Sequence, residues 1–242
     1  MHKKVILLSV FLLLFGLAMG SFFTTYFQHL PEEPLRQLTH YDHTVEAKFV
    51  AVDEHGDGVV SDLVTEVRDG QGLVLVNVNN VLADVTTQYS ARLASQVASN
   101  YTKIDLSNLD IIYNLKSDAR IVAGQSAGSI MAVSTIAALE NKPLKKNVII
   151  TGSINKEGNV VDAGGLQAKA AAAKKSNAKL FLVPKGSGTV SLNLTRTERC
   201  SDYDGRVYCR IDYPASLASI GDDIGIEVVE VETISQAMRF FL

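Results

Sequence analysis

A chain of 242 residues with a formal charge of −3, 47% hydrophobic residues, no Trp and five Pro has room for one domain of ordinary size, and its composition excludes a disordered or low-complexity chain. Setting Lys3 and Lys4 aside with the N-terminal segment leaves 21 basic against 26 acidic residues. A mildly acidic domain without a basic stripe argues against nucleic acid as its main partner.

After Met-His-Lys-Lys, Val5 to Phe27 forms an uncharged run of 23 residues. A bilayer needs ~20 apolar residues to be crossed, so the run is long enough to span one. Lys3 and Lys4 precede it and Glu32 and Glu33 follow, which puts the N-terminus in the cytoplasm and residues 28–242 outside. A cleaved signal peptide is the rival reading, with Val5 to Leu17 as its apolar part and Ala18-Met19-Gly20 as its small residues. Phe22, Phe23, Tyr26 and Phe27 carry the apolar character further, which favours an uncleaved anchor over residues 1–27. Either reading exports the domain. Residues 28–44, with Pro31-Glu-Glu-Pro34, read as a linker. His40-Tyr-Asp-His43 at its end has metal-binding residue types but reads as solvated loop, and no metal is expected.

The globular part runs over 45–242. Leu73 to Val81 alternates apolar and polar residues in its second half and is expected as a strand. Tyr89, Leu93 and Val97 recur at helical steps in an expected helix over Val85 to Ser99. Asp110 to Leu115 and Arg120 to Ala123 are short strand candidates, and Ala127 to Leu139 a helix of small residues. Asn147 to Ile154 reads as a β-branched strand, Leu166 to Ser176 as an Ala-rich helix, and Leu180 to Val183 and Ile226 to Val231 as strands before a terminal helix, Ile234 to Phe241. Strands and helices mix without strict alternation, which fits an α+β domain. Between Gly186 and Gly221 the pattern lapses into an inserted hairpin or loop, about 187–220, that holds both cysteines. Outside the cell Cys200 and Cys209 are expected to form a disulfide. Asn100-Tyr-Thr and Asn193-Leu-Thr match the weak glycosylation pattern.

Gly124-Gln-Ser126-Ala-Gly128 has the form G-x-S-x-G at a strand-to-helix junction. Such a turn can present a hydroxyl beside free backbone N–H groups that hold an oxyanion, although glycines flanking a helix-start serine also serve tight packing. The chain order Ser, acid, His of the α/β-hydrolases fails, because all five histidines precede Ser126; spacing permits a His, Asp, Ser order from His55, but His55 sits in what reads as a polar turn, Asp53-Glu-His-Gly-Asp-Gly. A base for Ser126 is therefore better sought among the lysines, one of which must be held neutral by burial or positive potential. Lys169 stands apart: Ala172 and Ala173 give its helix face a small apolar surface, and its place in the first turn sets the helix dipole against a positive charge. A lysine whose stem covers the core while its ammonium reaches water fits the same pattern.

The stretch from Gly124 to Gly186 resembles the Lon protease catalytic domain, in particular its archaeal membrane-associated branch. Ser126-Ala-Gly is similar to the family's nucleophile motif, Thr151-Gly-Ser-Ile with Gly158-Asn-Val-Val to its central hairpin, and Gly164-Gly-Leu-Gln-Ala-Lys169 to the motif carrying its catalytic lysine. The step from Ser126 to Lys169 agrees with the family spacing, and Leu182-Val-Pro-Lys185 and the terminal strand have counterparts. The resemblance implies the Lon proteolytic-domain fold, mixed sheets with packed helices, here preceded by one transmembrane helix. It implies Ser126 as nucleophile and Lys169 as base, Thr151 orienting the lysine, and backbone amides around Gly124, Gln125 and Ser126 as the oxyanion hole. No cofactor is implied. The implied partners are protein or peptide substrates, the membrane through the N-terminal helix, and further copies in a homo-oligomeric ring.

Three departures stand out. Lon proteases usually carry an acidic residue one to three positions before the serine, where this chain has Ala123, Gly124 and Gln125. Full Lon enzymes include an ATPase module, and no G-x-x-x-x-G-K-[ST] occurs in this sequence. The cysteine-bearing insertion matches nothing in the family pattern. The expectation is a stand-alone, ATP-independent serine endopeptidase acting on flexible or unfolded protein outside the cytoplasmic membrane. A Lon-like binding or assembly module with little turnover is the alternative that the missing acidic residue leaves open, and an esterase or amidase is a third.

Overall fold

The structure is a computed structural model that describes residues 6, 13–17, 19, 40–83, 85–191, 197–203, 206–212 and 217–242. It divides into two units, Met1–Thr39 and His40–Leu242. In the first, residues 6, 13–17 and 19 are helical, and the remainder of the expected anchor and residues 28–39 of the expected linker lie outside the described residues. Among the described residues no helix is long and apolar enough to cross a membrane.

The second unit opens with a hairpin that sequence patterning did not resolve. Strands β1 (Asp42–Asp53) and β2 (Gly58–Asp69) pair antiparallel from Asp42↔Arg68 to Val52↔Gly58. Residues 42–44, expected as the end of a linker, are thus the first of β1. Polar residues on the inward face obscure the alternation of β2: Ser61 and Thr65 are buried beside Leu63 and Val67. Thr65 is accommodated because its hydroxyl lies 2.7 Å from that of Ser134.

Strand β3 (Val74–Ala83), helix α1 (Val85–Thr102) and strand β4 (Leu109–Ala123) form a crossover unit with β3 and β4 parallel. The sheet order is β1-β2-β4-β3. The two short strands expected over residues 110–123 are one continuous strand, whose pairing with β3 shifts register between Asn79 and Val81. That irregularity falls at the polar break Lys116-Ser-Asp-Ala-Arg, where the apolar pattern lapses, and the pairing resumes at Val81↔Ile121.

Helix α2 (Gly128–Leu139) is buried at every position. Its sequence is apolar or small all round, as a helix enclosed on every side must be. It packs with α1 on the inner face of the sheet, and together with helix α5 (Ile234–Phe241) these elements enclose the larger apolar core, which includes Phe49, Ile111, Met131 and Phe241. Strands β5 (Val148–Ile150), β6 (Leu180–Pro184) and β11 (Glu227–Val231) make a second, wholly parallel sheet in the order β11-β6-β5. Helix α3 (Leu166–Lys175) lays Ala170 and Ala173 on a smaller core with Phe181, Ile149 and Ile220, the last at the start of the short helix α4 (Ile220–Ile224). Strand β5 is shorter than the expected Asn147 to Ile154, because beyond Thr151, whose N–H still donates to Leu182 on β6, Gly152 turns to bond with Ser126 and Ser129, and Ser153 with Val161 and Asp162.

Between Gly186 and Ile220 the chain forms a paired stem, β7 (Thr189–Ser191) with β10 (Leu217–Ser219), and a hairpin, β8 (Thr197–Tyr203) with β9 (Arg206–Asp212). Cys200 and Cys209 face each other across that hairpin and are bonded. The stem is tied to the domain by Glu230, whose carboxylate accepts from the N–H groups of Gly186 at 2.9 Å and Gly188 at 2.8 Å and is held below the usual carboxylate range by them.

A buried polar cluster pins the two central helices to the sheet. The Tyr113 hydroxyl on β4 lies 2.6 Å from Thr135 Oγ1 on α2 and 3.2 Å from Ser95 Oγ on α1, and burial pushes its pKa up to about 12. Thr135 and Ser95 keep second partners, the Met131 and Ala91 carbonyls. Tyr113→Phe is therefore expected to lower the unfolding free energy by only about 1 kcal/mol, the net value of a hydrogen bond whose partners remain satisfied. Urea unfolding followed by circular dichroism checks this.

Candidate active site

The end of β4 delivers Ser126 to a single 3₁₀ turn, Gln125–Ala127, that runs directly into α2. Gly124 enters the turn with extended backbone, φ −132° and ψ −166°, and a side chain there would meet nothing within 4 Å. The Ala127 N–H donates to the Gly124 carbonyl and the Gly128 N–H to that of Gln125, closing the turn. Gln125 itself is exposed.

The loop after β5 grips this turn from the other side. The Gly152 N–H donates to the Ser126 carbonyl at 2.9 Å, and the Ser129 N–H donates to the Gly152 carbonyl at 3.0 Å. Gly152 has φ +146°, and a Cβ there would stand 2.6 Å from Val160 and 3.1 Å from the Val161 carbonyl, so both conformation and space require glycine. This contact holds Thr151, 1% exposed, beside the serine.

Helix α3 supplies the amine. Gly165 caps it with φ +66°, and Lys169, only 4% exposed, ends its first turn. Lys169 Nζ donates to Ser126 Oγ at 2.8 Å and to Thr151 Oγ1 at 3.3 Å. Ser126, Lys169 and Thr151, separated in sequence, therefore meet at one point. Burial lowers the Lys169 pKa from its ordinary 10.5 to about 8, and Asp162 acts in the opposite sense by attraction. At that value about half of the amine is unprotonated near pH 8, so a neutral form able to accept the hydroxyl proton of Ser126 is populated.

Asp162 is a residue that sequence reasoning passed over. No acid precedes Ser126 at positions 123 to 125, yet a carboxylate acts on the amine from the strand-like segment that closes the central hairpin. Its backbone carbonyl accepts from both the N–H and the hydroxyl of Ser153, at 2.9 and 3.1 Å. Its position two residues before Gly164-Gly165 is the one sequence signal that could have drawn attention to it. The candidate pair His40 and His43 serves elsewhere: His40 contacts Asp69 at 2.6 Å, and His43 Nδ1 donates to the Ala138 carbonyl at 2.9 Å. Among the described residues no group of three or more His, Cys, Asp or Glu is placed to hold a metal ion.

A hydroxyl at a strand-to-helix turn is here bonded to a buried amine of lowered basicity, an arrangement that can move a proton between the two. Comparison with known proteins covers the same part of the chain. The family model of the Lon protease (S16) C-terminal proteolytic domain matches residues 51–192, which contain Ser126, Thr151 and Lys169. The Archaeal Lon protease of Archaeoglobus fulgidus is 30% identical over 140 residues, 56% of this chain and 22% of that protein. That of Thermoplasma acidophilum is 32% identical over 130 residues, 53% of this chain and 20% of that protein. Lon protease 1 of Syntrophobacter fumaroxidans is 31% identical over 133 residues, 53% of this chain and 16% of that protein. The chain belongs to the Lon protease C-terminal proteolytic domain family, and its matched part spans about a fifth of the length of these relatives.

The lowered basicity of Lys169 has a consequence for stability. Below about pH 8 the lysine is protonated in both folded and unfolded chains, and the fold bears the full cost of burying the charge. Between about 8 and 10.5 the unfolded chain holds the proton more strongly, so stability rises with pH through that window. Lys169→Met is expected to stabilise the domain near pH 7, with an advantage that shrinks as pH approaches 10.5. Thermal unfolding at the two ends of the window checks it, and a variant less stable than the parent near neutrality would contradict it.

Proposed function

We propose that this chain is an ATP-independent serine endopeptidase in which Ser126 and Lys169 form the catalytic dyad. The observation that carries the reading is the 2.8 Å hydrogen bond from a buried Lys169 Nζ to Ser126 Oγ. In the reaction, Ser126 Oγ attacks the scissile carbonyl carbon while unprotonated Lys169 takes its proton. The carbonyl oxygen becomes an oxyanion held by backbone N–H groups of the turn around Ser126. The lysine ammonium then returns the proton to the amide nitrogen, the C–N bond breaks, and the new amine terminus leaves with an acyl group on Ser126. Water, deprotonated in turn by Lys169, hydrolyses that ester and restores the hydroxyl. Thr151 Oγ1 accepts from Lys169 Nζ and keeps it aimed at the serine.

The open space beside Gly124 is where an extended peptide reaches the turn. Substrates on this reading are flexible or unfolded proteins, whose extended chain can reach the turn directly. The placement of Lys3 and Lys4 before the 23-residue apolar run and Glu32 and Glu33 after it supports a domain held outside the cytoplasmic membrane by its N-terminal segment. The family's tendency to assemble suggests a homo-oligomer.

Ser126→Ala and Lys169→Ala are each expected to lower hydrolysis of casein and of a fluorogenic peptide by at least ~10³-fold, with the double variant little worse than either, because the two groups act as one unit. ATP-Mg should leave the parent rate unchanged. Substantial proteolysis by folded Ser126→Ala protein would overturn the dyad, and the absence of both turnover and fluorophosphonate labelling in the parent would favour a binding module instead. For topology, protease added to intact cells is expected to digest the domain, and full protection would overturn the exported placement.

A further inference from the structure

The end of the β1–β2 hairpin touches the two elements that carry Ser126 and Lys169. Its last pair is Val52↔Gly58. Val52 also pairs with Val122 on β4, four residues before Ser126, so the hairpin end is bonded to the strand that delivers the serine. On its other side the same pair meets the first turn of α3 at two points. A Cβ built on Gly58 would stand 1.9 Å from the Ala168 carbonyl oxygen and 3.1 Å from Ala172 Cβ, so the strand backbone lies directly on the helix backbone. A Cβ built on Gly165 would stand 2.6 Å from Val52 Cγ2. Lys169 is the next residue after the carbonyl that Gly58 touches. The turn behind the hairpin is itself braced, with Asp53 Oδ1 accepting from the N–H groups of His55 and Asp57, both at 2.9 Å.

From this contact we infer that Gly58 is a positioning residue for the dyad: the hairpin end is the spacer that sets the separation of Lys169 Nζ from Ser126 Oγ, and Gly58 sets its thickness on the side of α3. The inference rests on the Ser126–Lys169 reading of the site. Gly58 does not adopt a left-handed conformation, so its role is one of space, and any side chain forces α3 outward. The obstacle is backbone carbonyl oxygen, which cannot swing away as a flexible side chain can. Displacement on the order of 1 Å at a reacting group costs ~10²-fold in rate. Neither contact involves Gly124, the open point of the turn at which the proposed substrate arrives, so the loss is expected in the chemical step.

The test uses the purified full chain. Gly58→Ala is expected to lower kcat, and the rate of fluorophosphonate labelling of Ser126 per folded molecule, by ~10–10²-fold with KM little changed. A glycine needed only for stability would lower the unfolding temperature and leave both rates per folded molecule within about twofold of the parent, and that result overturns the proposal. If Gly58→Ala does not fold, Val52→Ala decides, because it removes the other contact without adding atoms. A fall in kcat of about threefold or more at unchanged KM supports the spacer, and a kcat within about twofold overturns it. Ser126→Ala run in parallel separates the two levels: if it retains hydrolysis the dyad itself fails, whereas an inactive Ser126→Ala beside a fully active Gly58→Ala removes only the spacer.

Discussion

A lysine ammonium carried into a protein interior must either gather oxygen atoms around it or shed its proton, because its hydration is lost. Lys169 does part of each. It has two hydroxyl partners, Ser126 and Thr151, the attraction of one carboxylate, Asp162, and a pKa brought down to about 8. Hydroxyls compensate a charge poorly compared with a carboxylate bonded directly to it. The result is an amine poised between its two states, as a base operating near neutral pH needs. The remainder of the site can be understood as what holds that amine in place at an energetic disadvantage.

Three segments meet at the amine, and close backbone contacts help to hold each of them. The turn of Ser126 is closed by its own carbonyls and gripped by Gly152 through two hydrogen bonds. The loop of Thr151 hangs from β6, with the Thr151 N–H donating to the Leu182 carbonyl at 3.1 Å. Helix α3 sits against the β1–β2 hairpin at two glycine contacts, Gly58 and Gly165. Backbone-to-backbone contacts of this sort fix distances better than long side chains do, because few torsions remain free. They also explain why glycine, rather than any chemically active residue, occupies so many positions around the dyad.

The carboxylate deserves comparison with the family pattern. An acidic residue just before the serine would act on the lysine from the nucleophile's own strand. Here Ala123, Gly124 and Gln125 occupy those positions, and the electrostatic influence on Lys169 comes from Asp162, between the central hairpin and α3. Asp162 is exposed to solvent, so water screens its field, and burial dominates the balance at the amine. The insertion that carries Cys200 and Cys209 leaves from the carboxyl end of β6, the same edge of the parallel sheet at which β5 ends beside Thr151.

Much of this arrangement was legible before any coordinates. The helices over 85–102, 128–139, 166–175 and 234–241 follow from periodicity and composition, since an amphipathic or wholly apolar helix announces its face in its spacing. Ser126 was marked by its flanking glycines, and Lys169 by the small apolar residues on its face. From the residues alone, however, Lys169 as buried base and Lys169 as a snorkelling surface residue were equal, and only resemblance to a family separated them. Strand β2 is obscured because Ser61 and Thr65 face the core, and the hydroxyl partner of Thr65, Ser134 on α2, cannot be read along one strand. The roles of Gly58, Gly152 and Asp162 were likewise decided by tertiary structure. A glycine's purpose lies in what approaches it, and a carboxylate's influence lies in its distance from a charge. Local sequence determines periodicity and chemistry, whereas proximity between segments 18 to 110 residues apart is created by the packing of the two sheets and their helices.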